Sequence, residues 1–122
     1  MKCLCNPEKS YNNCCEKIHQ DIKLATTAEL LMRSRYAAFV LANVDYLQKS
    51  HHSTTRPSNK EKEEILTWTK SVEWLKLDIL SSTENTVEFK AFFYEDSNLK
   101  IIHEKSFFTK ENNHWVYVNA DI

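Results

Sequence analysis

The sequence predicts an α+β fold, with N-terminal helices packed on an antiparallel sheet and a small cysteine-bearing segment in front of them. Three observations predict it. The hydrophobic period is helical between residues 26 and 70 and switches to two from Val72 onward. Short breaks rich in Asn, Asp and Ser separate the alternating runs, the pattern of an antiparallel meander. All four cysteines, Cys3, Cys5, Cys14 and Cys15, precede the first long helix, and residues 25–122 contain none. Helices first and strands after place the helices on one face of the sheet.

Residues 1–24 and 25–122 therefore divide into a cysteine-bearing segment and a core-forming domain. In the second part the spacing predicts a helix over 26–42. Thr26 stands as its N-cap, with Glu29 three residues on to complete a capping box. Leu30, Leu31, Met32, Tyr36, Ala37, Phe39, Val40 and Leu41 go nearly all round a wheel turned about 100° per residue, so this helix is expected to be buried on several sides. Asn43 ends it, and a short helix covers Val44 to Lys49. Residues 51–59 form a loop. Asn59 caps a further helix over 60–70, whose first turn carries Glu61, Glu63 and Glu64 at the positive end of the dipole.

The strands follow. Leu75, Leu77 and Ile79 share one face of the first, and Val87, Phe89, Ala91 and Phe93 one face of the second. Asp96-Ser97-Asn98 turns into a third strand in which Leu99, Ile101, His103, Lys105 and Phe107 alternate. Glu111-Asn112-Asn113 turns into His114-Trp115-Val116-Tyr117-Val118.

Composition narrows the function classes. Of 122 residues, 42% are hydrophobic and 27% charged, with six Phe, five Tyr and three Trp to fill a core. Lys plus Arg is 16 against 17 for Asp plus Glu, which argues against binding driven by bulk charge to nucleic acid or a membrane surface. No apolar run approaches the roughly 18 residues of a spanning helix, and Met1-Lys2-Cys3-Leu4-Cys5 lacks the apolar core of a signal peptide. A cytoplasmic location, where thiols stay reduced, is expected. The chain has no glycine, so no Gly-rich phosphate loop or dinucleotide fingerprint can be written. Left-handed backbone positions pass to other residues, with Asn the usual second choice. Asn6, Asn13, Asn43, Asn85, Asn98 and Asn113 stand at expected turns.

The cysteine spacing C-x-C-x8-C-C puts four thiols within a short loop-forming segment. Two close pairs flank Asn6–Asn13, which can fold back to bring them together, as a tetrahedral four-thiolate zinc site requires. Such metal binding supplies about 10–16 kcal/mol of apparent free energy to segments too small to fold alone. Four protein thiolates leave no open coordination position, so the zinc is expected to be structural. A redox dithiol would use C-x-x-C, which is absent, and adjacent Cys14 and Cys15 strain a vicinal bridge.

Cys3-Leu4-Cys5-Asn6-Pro7-Glu8-Lys9-Ser10-Tyr11-Asn12-Asn13-Cys14-Cys15 is similar to the SEC-C motif, the zinc module also found in the SecA translocation ATPase. The ligands and Tyr11 match and Lys9 lies near the motif's basic residue, while both motif glycines are replaced. Met32-Arg33-Ser34-Arg35-Tyr36-Ala37-Ala38-Phe39-Val40, Val44-Asp45-Tyr46-Leu47, His52-Ser53-Thr54-Thr55-Arg56, Val87-Glu88-Phe89, His103-Glu104-Lys105-Ser106-Phe107-Phe108 and Trp115-Val116-Tyr117-Val118 resemble, in order, the YchJ-like proteins. The resemblance implies an SEC-C zinc knuckle over 1–24 and a nuclear transport factor 2-like, or cystatin-like, α+β cone over 25–122. It implies a fold more than a function.

The polar residues set the remaining expectations. Lys outnumbers Arg thirteen to three, so Arg33, Arg35 and Arg56 stand where a planar fork is needed. Arg33 and Arg35 lie about 160° apart on the helix wheel, so at least one guanidinium is expected beside the core. Arg35 is the stronger expectation, paired to an acidic side chain, with Glu104, Asp45 and Glu88 as candidates. The candidate pocket residues are Arg35, Tyr36, Asp45, Tyr46, His52, His103 and Glu104. His103 and Glu104 are neighbours in a strand and point to opposite faces. An Arg and a Tyr in the pocket suit an anion or the polar end of a ligand.

No nucleophile–base–acid order is readable. The expected function is a zinc-binding, non-catalytic adaptor or ligand-binding module whose knuckle contacts a protein partner. By analogy with SEC-C proteins that partner is translation- or translocation-linked. Nucleic acid is not expected, since Lys2, Lys9, Lys17 and Lys23 are offset by Glu8, Glu16 and Asp21. The alternative is a small enzyme using the pocket of the cone. A homodimer through an exposed sheet face of Phe92, Tyr94, Ile102 and Phe108 is a third expectation.

Overall fold

The computed structural model describes residues 2–6 and 8–121. A tight hairpin opens the chain, with a bridge between Lys2 and Ser10 and the Cys3 amide donating to the Lys9 carbonyl at 2.7 Å. A 3-10 turn at Tyr11–Asn13 leads into α1 (Cys15–Gln20), and a second at Ile22–Leu24 precedes α2 (Ala28–Val40). Then come α3 (Val44–Lys49), α4 (Asn59–Ser71), β1 (Glu73–Ser82), β2 (Thr86–Glu95), β3 (Asn98–Glu111) and β4 (His114–Asp121). The four strands form one sheet in the order β1-β2-β3-β4, antiparallel throughout.

α2 lies at the centre, with Leu31, Ala37 and Ala38 fully covered. Its cap is Thr27, one residue later than expected: Thr27 Oγ1 accepts from the Leu30 amide, and Glu29 turns instead to Arg33 and Ser82. The helix ends in a Schellman motif, with Asn43 N donating to Ala38 O at 2.8 Å and Ala42 N to Phe39 O at 3.1 Å. Ala42 there takes φ 56°, a place where glycine is usual. α3 starts where expected, capped by the Asn43 side chain. α4 is capped by Ser58 rather than Asn59, in a full capping box with Glu61.

Both later hairpins use two-residue turns with positive φ at each position, Asp96-Ser97 and Asn112-Asn113, the geometry that matches strand twist. The left-handed positions therefore fall on Ala42, Asp96, Ser97, Asn112 and Asn113. Of the asparagines expected there, Asn113 alone qualifies among the described residues, whereas Asn6 and Asn43 act through side-chain caps.

A register shift between Trp74 and Lys76 corrects the first strand: it leaves Leu75 exposed and puts Trp74 against the core beside Leu77. β3 buries Ser106 and Phe108 and half-buries Ile102 on its inner face, while Leu99 and Ile101 are exposed. The sheet face expected to pair two copies is thus not the one named, because Ile102 and Phe108 point inward. The edge of β4 is covered by the loop after α3, where Tyr117 N donates to Ser50 O and His52 N to Tyr117 O, each at 2.8 Å. No helix among the described residues is long and apolar enough to cross a membrane.

Candidate metal centre and cone cavity

The opening hairpin and the first turn of α1 bring the four cysteine sulfurs together. Cys3 and Cys5 lie on the hairpin, Cys14 at the turn and Cys15 at the start of α1. The four Sγ atoms all lie within 4.8 Å of one another. Neighbouring pairs are 3.4 Å (Cys5–Cys15), 3.5 Å (Cys3–Cys5), 3.6 Å (Cys5–Cys14) and 3.9 Å (Cys14–Cys15) apart. A tetrahedral four-thiolate site with metal–sulfur bonds of about 2.3 Å has edges of about 3.8 Å. The set fits a metal ion.

Charge supports the same fit. As thiols the four share protons unevenly. Cys5 is held down at about 6, first by the hydrogen bond from Cys15 and then by those involving Cys3 and Cys14, against the opposing effect of burial. Cys14 is pushed up to about 12 by burial and its sulfur neighbours. Cys15 rises as well, because its proton is held in the hydrogen bond to Cys5. Four thiolates this close would require a cation, and the quartet could hold a metal ion in that role.

The knuckle is tied to α2 by three polar contacts. Arg33 Nη1 donates to the Cys5 carbonyl at 3.1 Å while its Nε pairs with Glu29 at 3.0 Å. His19 Nε2 meets the Ser34 carbonyl at 2.7 Å and its Nδ1 the Tyr11 hydroxyl at 3.0 Å. The Cys15 thiol reaches the Arg33 carbonyl at 3.7 Å. Cys3, Cys5, Cys15, Ile18 and Ile22 join the same hydrophobic cluster as Leu31 and Phe89, so one core runs under both parts.

Between α2, α4 and the inner face of the sheet lies a cavity of about 120 Å3. α2 contributes Met32, Tyr36 and Phe39, α4 contributes Trp68, and the sheet contributes Trp74, Phe89, Ala91, Ile102 and Glu104. Glu104 is half-buried, and burial raises its carboxyl above the usual range.

A family model described as YchJ, middle NTF2-like domain, matches residues 27–120. The chain belongs to the YchJ-like family. A UPF0225 protein of Bordetella pertussis is 40% identical over 127 residues, covering 98% of this chain and 92% of that protein. One from Vibrio cholerae is 35% identical, covering 99% and 83%. The solution structure of a SEC-C motif containing protein from Rhodopseudomonas palustris superposes with a TM-score of 0.86 at 30% identity, over 99% of this chain and 98% of that one. The crystal structure of a SEC-C motif containing protein from Psychrobacter arcticus gives 0.79 at 25% identity, over 100% and 84%.

In this YchJ-like cone the candidate pocket residues part company. Tyr36 and Glu104 line the cavity. His103 points to the outer face and meets Glu88 at 2.8 Å, so the strand splits it from Glu104 as period two requires. Asp45 is exposed and pairs with Lys62 at 2.8 Å. His52 sits in the loop against Thr54 and Glu111. Tyr46 is buried, its hydroxyl on Ser34 Oγ and its ring against His19.

Arg35 is the buried arginine, at 6% exposure, and it corrects the expected partner. Its Nη1 donates to the Leu47 carbonyl at 2.9 Å and to Ser50 Oγ at 2.7 Å, and its guanidinium stacks 4.7 Å over the Tyr117 ring. Neither Glu104, Asp45 nor Glu88 reaches it. Burial lowers its pKa to about 10, with Tyr117 and Tyr46 acting in the opposite direction. The charged group facing the cavity is therefore a carboxylate and not the expected arginine. Composition reads the three Trp only as core-filling residues and does not mark Trp68 and Trp74 as cavity walls, because the bulge that turns Trp74 inward leaves no trace in the pattern.

Proposed function

We propose that this chain is a zinc-bearing, non-catalytic binding module of the cytoplasm, with one structural Zn2+ held by Cys3, Cys5, Cys14 and Cys15 and a knuckle that contacts a protein partner. The observation that carries the reading is the sulfur quartet, whose neighbouring distances of 3.4–3.9 Å match a four-thiolate tetrahedron. Four thiolates close the ion's coordination, so the metal supplies cross-linking of the hairpin to α1 rather than an open Lewis-acid position. The chain's own residues transmit that order: Arg33 on the Cys5 carbonyl and His19 on the Ser34 carbonyl fix the knuckle's face relative to α2. The near-neutral charge supports a protein partner over nucleic acid, and the likeness to SEC-C proteins favours one linked to translation or translocation.

A second reading, a small enzyme using the cone, is favoured by one observation, the half-buried Glu104 carboxyl in the cavity. One experiment separates the two. The protein is loaded with cobalt in place of zinc and its spectrum recorded, and the zinc form is screened for hydrolase and isomerase turnover. The binding reading expects tetrahedral tetrathiolate cobalt bands, lost in Cys5→Ser, and no turnover. Turnover abolished by Glu104→Gln would replace it with the enzyme reading.

A further inference from the structure

Most of the cavity's lining residues are aromatic. Trp74 stands perpendicular to both Tyr36 and Trp68, with interplanar angles of 83° and 88° and centroids 5.7 and 5.5 Å apart. These rings pack edge to face and, with Phe39 and Phe93 tilted against Trp74, form one aromatic cluster beside the cavity. Both indole N–H groups are engaged away from it, Trp68 Nε1 on Glu95 at 3.0 Å and Trp74 Nε1 on Thr69 Oγ1 at 3.1 Å. The lining is therefore aromatic (Tyr36, Phe39, Trp68, Trp74, Phe89) and aliphatic (Met32, Ala91, Ile102), with Glu104 its one ionisable carboxylate. Arg35 is turned away to Leu47, Ser50 and Tyr117, and no lysine lines the space. An anion would find no cation here and a carboxylate opposing it.

The Glu104 carboxylate has no hydrogen bond or ion pair among the described residues, its backbone lying in the β2–β3 ladder. Its side chain is half-buried, so it meets both the cavity and solvent. The volume, about 120 Å3, holds roughly four waters at about 30 Å3 each, or one quaternary ammonium head.

We propose that this cavity binds a small organic cation, an alkylated ammonium group, seated among the aromatic rings that line it with Glu104 as its counter-charge. Aromatic faces attract such a cation through their negative quadrupole, and the carboxylate adds a Coulomb attraction of its own. The site shares no residue with the cysteine knuckle, so it goes beyond the metal reading and stands or falls separately.

The test uses the full zinc-loaded chain and two probes of the same heavy-atom count, tetramethylammonium and neutral tert-butanol, followed by NMR shifts of the Trp68 and Trp74 indole N–H signals. The cation is expected to shift both signals saturably and to bind about tenfold or more tighter than the alcohol. Glu104→Gln is expected to weaken the cation about tenfold and to leave the alcohol unchanged. Equal binding of the two probes to the wild-type protein would make the cavity a simple apolar void and overturn the proposal, without reference to any variant. Absence of indole shifts with the cation, or undiminished binding in a folded Glu104→Gln, would overturn it equally. Zinc content measured on the same sample keeps the outcomes apart: a metal-free sample that still prefers the cation would sink the metal reading alone.

Discussion

Replacing Arg35 by methionine tests how a guanidinium is accommodated in this core without a carboxylate. Met keeps most of the stem's volume and deletes the charge. Lost are two hydrogen bonds from a charged donor, to Leu47 O and Ser50 Oγ, at about 1.5–3 kcal/mol each. The stacking on Tyr117 is lost as well, about 1–2 kcal/mol when desolvated. Against these stands the relief of holding a charge away from water, which is several kcal/mol. The acceptors left behind are not orphaned, because Ser50 Oγ already donates to Leu47 O at 3.3 Å. The terms nearly cancel, and the expected net loss is about 1–2 kcal/mol. A hidden acidic partner would change the sum, since removing one member of a buried pair costs about 3–5 kcal/mol. Arg35→Ala additionally opens a cavity and should cost about 2 kcal/mol or more beyond the Met variant. Urea unfolding of wild type, both variants and the exposed control Lys60→Ala supplies the numbers. A loss of about 4 kcal/mol or more in the Met variant would reveal an orphaned charge. An Ala variant as stable as the Lys60 control would mean that Arg35 is solvated.

The remaining expectations concern backbone, cap and pH. Ala42 pays a left-handed penalty at the end of α2, so Ala42→Gly should raise stability by about 1 kcal/mol, seen as a higher Tm; a fall would contradict the assigned backbone. Thr27→Ala should cost about 1 kcal/mol and Thr26→Ala almost nothing in the same assay, because Thr27 is the cap. Burial, together with Arg35 and Arg56, pulls the His51 imidazole down to about 4. The unfolded chain then holds the extra proton between about pH 6.5 and 4, so this group's contribution is complete above that window and is lost on acidification. His51→Gln should narrow the difference in urea midpoint between about pH 7 and pH 5; an unchanged difference would place the acid sensitivity elsewhere.

What could be read in advance was what adjacent residues decide together. The α3 helix follows from Asn43 and its neighbours, and the sheet follows from the alternation of Val87, Phe89, Ala91 and Phe93 between short turns. The sulfur quartet was legible because two cysteine pairs flank a loop short enough to close on itself. Caps slipped by one where two cap-forming residues stand side by side, Thr26 with Thr27 and Ser58 with Asn59, since tertiary fit chooses between them. Period two separated His103 from Glu104 but could not say which faces inward; that depends on Phe89 lying opposite Glu104 in the register of β2 and β3. The Leu75 bulge, the carbonyl–hydroxyl–tyrosine seat of Arg35 and the aromatic cluster beside the cavity are all set by distant elements meeting, and no local pattern encodes them.

The most direct test of the central claim is X-ray absorption at the zinc edge on the full chain purified with zinc. The account predicts one zinc per chain surrounded by four sulfurs at about 2.3 Å, with no nitrogen or oxygen in the coordination sphere. Three sulfurs and a lighter ligand, from His19 or water, or zinc well below one equivalent under reducing conditions, would contradict it.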